Sequence, residues 1–138
     1  MPDHAQQGPS ARRSDRTRAR HALEAVREFA DHYQTQADRK KYLSRIKDLG
    51  LMVRQNGVIG ALVFVRSRDE AVGGALADQV RRHLIDAGLL NHGVKDLLKH
   101  LAGCEEHAYL RLQDETARYT QWLKRFAVVE LGVDEEPV

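Results

Sequence analysis

The stretch Met52-Val-Arg-Gln-Asn-Gly-Val-Ile-Gly-Ala-Leu-Val-Phe-Val65 decides the fold, because its apolar second half, Gly57 to Val65, suits either a buried strand or a buried helix. Its β-branched residues, taken alone, favour the strand. A strand needs a neighbour to pair its backbone N–H and C=O groups, and no other segment alternates apolar and polar residues between turn signals. The stretch is therefore read as a fully buried central helix, and the chain as all-α.

Upstream, Asp38 is placed to cap a helix whose inner face is Tyr42, Leu43, Ile46, Leu49 and Met52 or Val53, with Arg39, Lys40, Lys41, Arg45 and Lys47 facing water and Gly50 as a kink. Before it, Ser14 or Asp15 caps a first helix running to about Gln36, with Ala19, Ala22, Leu23, Val26, Phe29, Ala30 and Tyr33 at three- and four-residue steps. Residues 1–13, with Gly8, Pro9 and Ser10, lack this period and read as a disordered leader.

Downstream, Ser67 or Asp69 caps a helix over Ala71 to Ala87 that Gly88 ends. A shorter helix spans Val94 to Ala102 and stops at Gly103. The last, Leu110 to Leu131, carries Leu112, Thr116, Tyr119, Leu123 and Phe126 as its seam, with Trp122 beside it. The expected architecture is a single compact helical bundle of five to six helices over residues 14–132, followed by an acidic tail at 133–138.

Composition narrows the function classes. The chain is 42% hydrophobic and 30% charged, which suits a globular helical protein. Cys104 is the only cysteine, so an internal disulfide or multi-cysteine zinc module has no material, and the expected location is the reducing cytoplasm. The basic N-terminal stretch has no apolar run behind it, and Gly57 to Val65 is too short to span a bilayer, so neither export nor a membrane partner is expected. Residues 1–50 hold 11 basic against 7 acidic side chains and residues 105–138 hold 4 against 8, so the two ends differ in sign.

Candidate chemistry is sparse. His100, Cys104 and His107 would share one face of a continuous helix, but Gly103 interrupts it and no fourth ligand is evident, so no metal and no Cys–His nucleophile is assigned. The carboxylate pairs Asp69-Glu70, Glu105-Glu106 and Asp114-Glu115 fall mostly at helix starts, where they complement the helix dipole. Gly57, Gly60, Gly73 and Gly74 form neither GxGxxG nor a Walker loop. No cofactor and no catalytic residue is expected.

Basic residues remain. Arg12, Arg13, Arg16, Arg18 and Arg20 form the densest cluster, with Arg16 and Arg20 on one helical face, and a solvated leader explains them equally well. On the last helix Arg118, Gln121 and Arg125, flanked by Lys124, lie three and four apart and opposite the apolar seam. That face suits phosphates, or is an ordinary polar surface.

Two segments carry a family resemblance: Met52 to Val65, and Tyr109 through Tyr119-Thr-Gln-Trp-Leu-Lys-Arg-Phe-Ala127. Together they resemble the small helical subunit of type III-B CRISPR effector complexes, the Cmr small-subunit family. In that family an Arg-x-Asn-Gly turn precedes an apolar helix ending in Phe and a basic residue, here Arg54, Asn56, Gly57, Phe64 and Arg66. A Tyr then precedes a final helix, matched by Tyr109, Glu115 and Trp122 to Ala127.

The resemblance implies an all-α bundle without nuclease activity, several copies of which stack along an RNA-guided complex in antiviral defence. The implied partners are other Cmr effector subunits, further copies of the chain, and guide RNA with single-stranded target RNA. The residues expected to touch phosphates are Arg16, Arg20, Arg54, Lys124 and Arg125. The alternative is a helical protein–protein scaffold with no direct RNA contact.

Overall fold

Five helices make up the computed structural model, which describes the backbone of residues 4–133 and the side chains of residues 14–133: α1 (His4–His32), α2 (Gln36–Arg68), α3 (Glu70–Asp86), α4 (Leu97–Gly103) and α5 (Glu106–Glu130). No strand occurs among the described residues, so the chain is all-α, as expected. α1 starts upstream of the Ser14 or Asp15 cap, and residues 4–13, read from sequence as a leader, carry helical backbone. Extending an existing helix adds one hydrogen bond per residue fixed without a new nucleus, and Ala11, Arg12 and Arg13 are good helix formers. Residues 1–3 of that leader and 134–138 of the acidic tail lie outside the described residues. Val133, assigned to the tail, is buried in the core.

α2 is one helix by hydrogen bonding but two rods in space. Lys41 and Asp69 would stand about 42 Å apart on a straight helix at 1.5 Å per residue, yet Lys41 Nζ lies 3.6 Å from Asp69 Oδ2. Lys41, Arg45, Ser67, Arg68 and Asp69 accordingly line one cavity. The reversal is at Gly57, the single non-helical residue inside α2, with φ 83° and ψ 165°. A Cβ here would be strained by the backbone angle and would meet the Tyr109 hydroxyl at 3.1 Å and Gln113 Oε1 at 3.2 Å. The amide that the reversal frees is caught by α5, since Val58 N–H donates to Gln113 Oε1 at 3.0 Å.

The break therefore falls at Gly57 and not at Gly50, whose backbone stays helical and packs against Thr120. The second limb, residues 58–68, is helical as expected but not fully buried. Val58, Ala61, Leu62 and Val65 face the core, while Val63 is 49% exposed. A stripe at three- and four-residue spacing is enough to seat it. α2 also contains an 18-residue window of mean hydropathy about 1.3. Any such window with no more than two charged residues includes Gly57, so it does not form one straight rod.

Capping sets the other boundaries. Thr35, not Asp38, caps α2: its hydroxyl accepts from Asp38 N at 3.1 Å. Asp69 ends α2 and starts α3, its carboxylate accepting from Val72 N at 3.1 Å. Its pKa is lowered chiefly by the Val72 amide, which with Lys41 outweighs the opposing effect of burial. Asp96 caps α4, so Val94 stays outside that helix, and its carbonyl accepts from Arg81. α5 begins four residues earlier than expected and brings Tyr109 inside.

The core runs through all five helices. Phe29 of α1 stacks on Tyr42 of α2 with ring centroids 3.8 Å apart. The Tyr42 hydroxyl donates to Gln79 Oε1 at 2.6 Å, and Gln79 Nε2 donates to the Ala25 carbonyl at 3.1 Å, so the buried polar atoms of α1, α2 and α3 satisfy one another. Gly73 lets α3 cross the second limb closely: a Cβ there would collide with the Val65 carbonyl. On α5 the buried seam is Leu112, Thr116, Tyr119, Thr120, Leu123 and Ala127. Phe126, expected in it, is half-buried and stacks beside Trp122.

Candidate nucleic-acid interface

Along the first limb of α2, residues 36–56, Lys47, Leu51 and Arg54 recur at steps of four and three, so they stand on one face. α5 packs against that limb and sets Gln121 and Lys124 opposite them. The result is a groove of two adjoining cavities. One, of about 270 Å³, is lined by Ile46, Lys47, Gly50, Leu51, Arg54, Thr120, Gln121 and Lys124. The other, of about 560 Å³, is lined by Arg54, Gln121, Arg118, Asp114, Gln113, Leu110, Ala117 and Val53. Arg54 and Gln121 belong to both, so they mark its middle.

Among the described residues four cations line this groove, Lys47, Arg54, Arg118 and Lys124, and one carboxylate, Asp114. Asp114 accepts from Arg118 Nε at 3.0 Å. The walls otherwise carry apolar stems and the exposed side chains Leu51 (58%) and Leu110 (48%). Such a surface gathers basic side chains around apolar stems in one open groove.

Of the five residues expected to touch phosphates, the structure brings Arg54 and Lys124 together in this groove. Arg125 is exposed on the adjoining outer face of α5, its guanidinium 4.9 Å from the Trp122 ring centroid. Arg16 and Arg20 are exposed on α1 and line neither cavity. Arg20 lies 4.0 Å from Glu24. Lys47 belongs to the groove without having been expected there. Its spacing to Arg54 was the available signal, hidden because the basic residues of that helix all read as solvated.

The other polar concentration lies on the opposite flank of α5. Arg18 Nε donates to Glu115 Oε2 at 2.7 Å and its Nη2 to Oε1 at 3.0 Å, a forked pair. The same carboxylate is 2.8 Å from His83 Nε2, and His83 Nδ1 is 2.8 Å from His21 Nδ1. Burial pushes the Glu115 carboxyl up, but the His83 and Arg18 hydrogen bonds outweigh it and leave its pKa at about 2. Sequence reading placed Arg18 in the basic cluster and Glu115 in a carboxylate pair but did not join them, because their pairing needs α1, α3 and α5 packed together.

His100 sits in α4, Cys104 caps its end with Sγ directed at the Leu101 carbonyl, and His107 lies in α5. Among the described residues no three His, Cys, Asp or Glu side chains form a metal-holding group.

Comparison with known proteins adds the family. A sequence profile described as CRISPR-associated protein (Cas_Cmr5) matches residues 14–130, which takes in nearly the whole bundle and the full groove. The chain belongs to the Cmr5 family. A Cmr5-family relative from Thermotoga maritima, named CRISPR system Cmr subunit Cmr5, is 29% identical over 97 residues, 70% of this chain and 72% of that protein. A protein of the same name from Thermus thermophilus is 34% identical over 113 residues, 79% of this chain and 88% of its own length. The fold agrees as well. The X-ray crystal structure of a CRISPR-associated Cmr5 family protein from Thermus thermophilus superposes with a TM-score of 0.67 at 32% identity, covering 83% of this chain and 95% of that one.

Proposed function

We propose that this Cmr5-family chain is a non-catalytic small subunit of the Cmr effector complex, packed in several copies along it, and that the α2–α5 groove rests its cations on guide or target RNA phosphates. The names of the two curated relatives support the membership of the complex. The observation that carries the RNA contact is the groove itself, where four cations face one carboxylate. Lys47, Arg54 and Lys124 act as point charges and forks on the backbone, and the complex leaves sequence to base pairing. Affinity arises from copies lined up on one RNA, because each phosphate contact is modest and screened by salt.

The test is the assembled complex carrying Arg54→Glu and Lys124→Glu. Target RNA affinity should fall, and the slope of log affinity against log salt should flatten by about 0.7 for each single-strand phosphate that is no longer neutralised. Unchanged affinity and slope would remove the groove from RNA binding.

A second reading is favoured by Leu51 and Leu110, two large apolar side chains about half exposed at the groove. They suit a neighbouring protein subunit, which would make the chain a scaffold without RNA contact. Crosslinking from position 54 within the loaded complex separates the two, by whether RNA or protein is captured.

A further inference from the structure

The His21–His83 contact is the most unusual polar feature outside the groove. The two Nδ1 atoms are 2.8 Å apart, a hydrogen bond that accommodates one proton between them. His83 cannot turn to relieve a second. Its ring lies flat on Tyr119, with centroids 3.9 Å apart and planes 3° off parallel, and the side chain is 1% exposed. Its other nitrogen, Nε2, is committed to Glu115, which as an ionised carboxylate only accepts, so Nε2 carries a proton. Arg18 holds the same carboxylate, its Nε sharing Oε2 with His83 and its Nη2 on Oε1.

His83 therefore has one open valence, Nδ1, and it points at His21. With both rings neutral, His21 Nδ1–H donates to it. One added proton is absorbed by making His83 the donor and moving the remaining His21 proton to its Nε2. A second added proton puts N–H against N–H at 2.8 Å between two cations, which the site cannot hold. We propose that this pair is a one-proton clasp that fastens α1 to α3 and opens when acid delivers a second proton.

The surroundings support this. From α1, Arg18, Arg20, Glu24 and Glu28 face the pair or its cavity; from α3, Arg82 and Asp86; from α5, Glu115 and Tyr119. The carboxylates of Glu24 and Asp86 favour a charged His21, but burial and the charge of His83 outweigh them, so His21 takes up a proton less readily than an ordinary histidine. The cavity beside it is only about 80 Å³, which leaves the rings little room to part without moving α1.

The experiment uses the full chain, with imidazole ¹⁵N shifts and amide hydrogen exchange recorded at about pH 7.5 and about pH 5, where Glu115 stays ionised. The clasp predicts that protection of α1 amides around residues 17–25 falls several-fold on acidification, when the second proton breaks the Nδ1–Nδ1 contact. In His21→Gln the side-chain amide can still donate to His83 Nδ1 but takes up no proton, so the acid-induced fall should vanish. His92→Gln, at an exposed loop position, should keep it. An equal fall in His21→Gln overturns the proposal. So does a wild-type titration in which both rings charge while α1 protection stays constant, a result that needs no variant to fold.

Discussion

Toward α1 and α3, α5 presents Glu115 to Arg18 and His83 at 2.7 and 2.8 Å, inside the protein. Toward the first limb of α2 it presents Gln121 and Lys124 to Lys47 and Arg54 across an open groove. The helix is the same and the charges are of similar kind, yet one flank closes its charges into a buried network and the other lines an open groove with four cations and one carboxylate. Charges that are buried must be answered within the molecule, because an unanswered one costs several kcal/mol. Cations on an open groove are under no such demand, because water already solvates them. The contrast separates charges that must be answered inside the bundle from charges that need not be.

The largest way to break this comparison is Glu115→Ala. It leaves Arg18 and His83, whose side chains are 11% and 1% exposed, without their carboxylate. Urea unfolding should show a loss of about 3 kcal/mol. A loss below about 1 kcal/mol would mean that the closed flank is no more structural than the groove. Gly57→Ala should come next, at about 2 kcal/mol, because alanine at φ 83°, ψ 165° is strained and its methyl crowds Tyr109 and Gln113. Since Gln113 lines the groove, this variant should also weaken RNA retention by the assembled complex.

Acid tests the closed flank with no mutation. Glu115 has a folded pKa of about 2, below the ordinary carboxylate value, so its contribution is present above about pH 4.5 and is lost as pH falls from there toward 2. His21 is likewise held below its ordinary 6.5, so the unfolded chain takes up that proton first and stability starts to decline as pH drops through 6.5. Thermal melts from about pH 8 to about pH 3 should show both declines, and Glu115→Gln should shrink the lower one, leaving the part due to Asp69. The smallest effect belongs to the groove: Lys47→Ala, Arg54→Ala and Lys124→Ala should each change stability by less than about 0.5 kcal/mol. A larger loss would show that the groove cations also serve the fold.

What could be read from the sequence follows from the range over which each signal acts. Periodicity is local, so Tyr42, Leu43, Ile46 and Leu49 and most of the α5 seam are found on the inner face as expected. Caps are local too, and Asp69 starts α3 where it should. Gly50 and Gly57 show the limit. Periodicity offered Gly50 as the kink, whereas the break lies at Gly57, where the Arg-x-Asn-Gly turn of the family resemblance stands and where Tyr109 and Gln113 close over the glycine. The groove was half legible, through Arg54 and Lys124. Lys47 joins them only because α5 lies alongside, and Arg16 and Arg20 stand outside this groove because they lie on α1. The network of Arg18, His21, His83 and Glu115 joins three helices, so naming Arg18 and Glu115 separately did not reveal it.

The reversal at Gly57 also bears on how the chain assembles. It brings Lys41 to Asp69, and Asp69 passes directly into α3, so α2 and α3 close on themselves through contacts of short sequence separation. Such contacts need little loop closure and form early. α1 is different: Arg18 reaches Glu115 across 97 residues and Arg27 reaches Glu130 across 103. During synthesis α1 emerges ahead of α5 and cannot make these pairs until α5 follows. Of the five helices described, α1 thus waits longest for its ion-pair partners on α5.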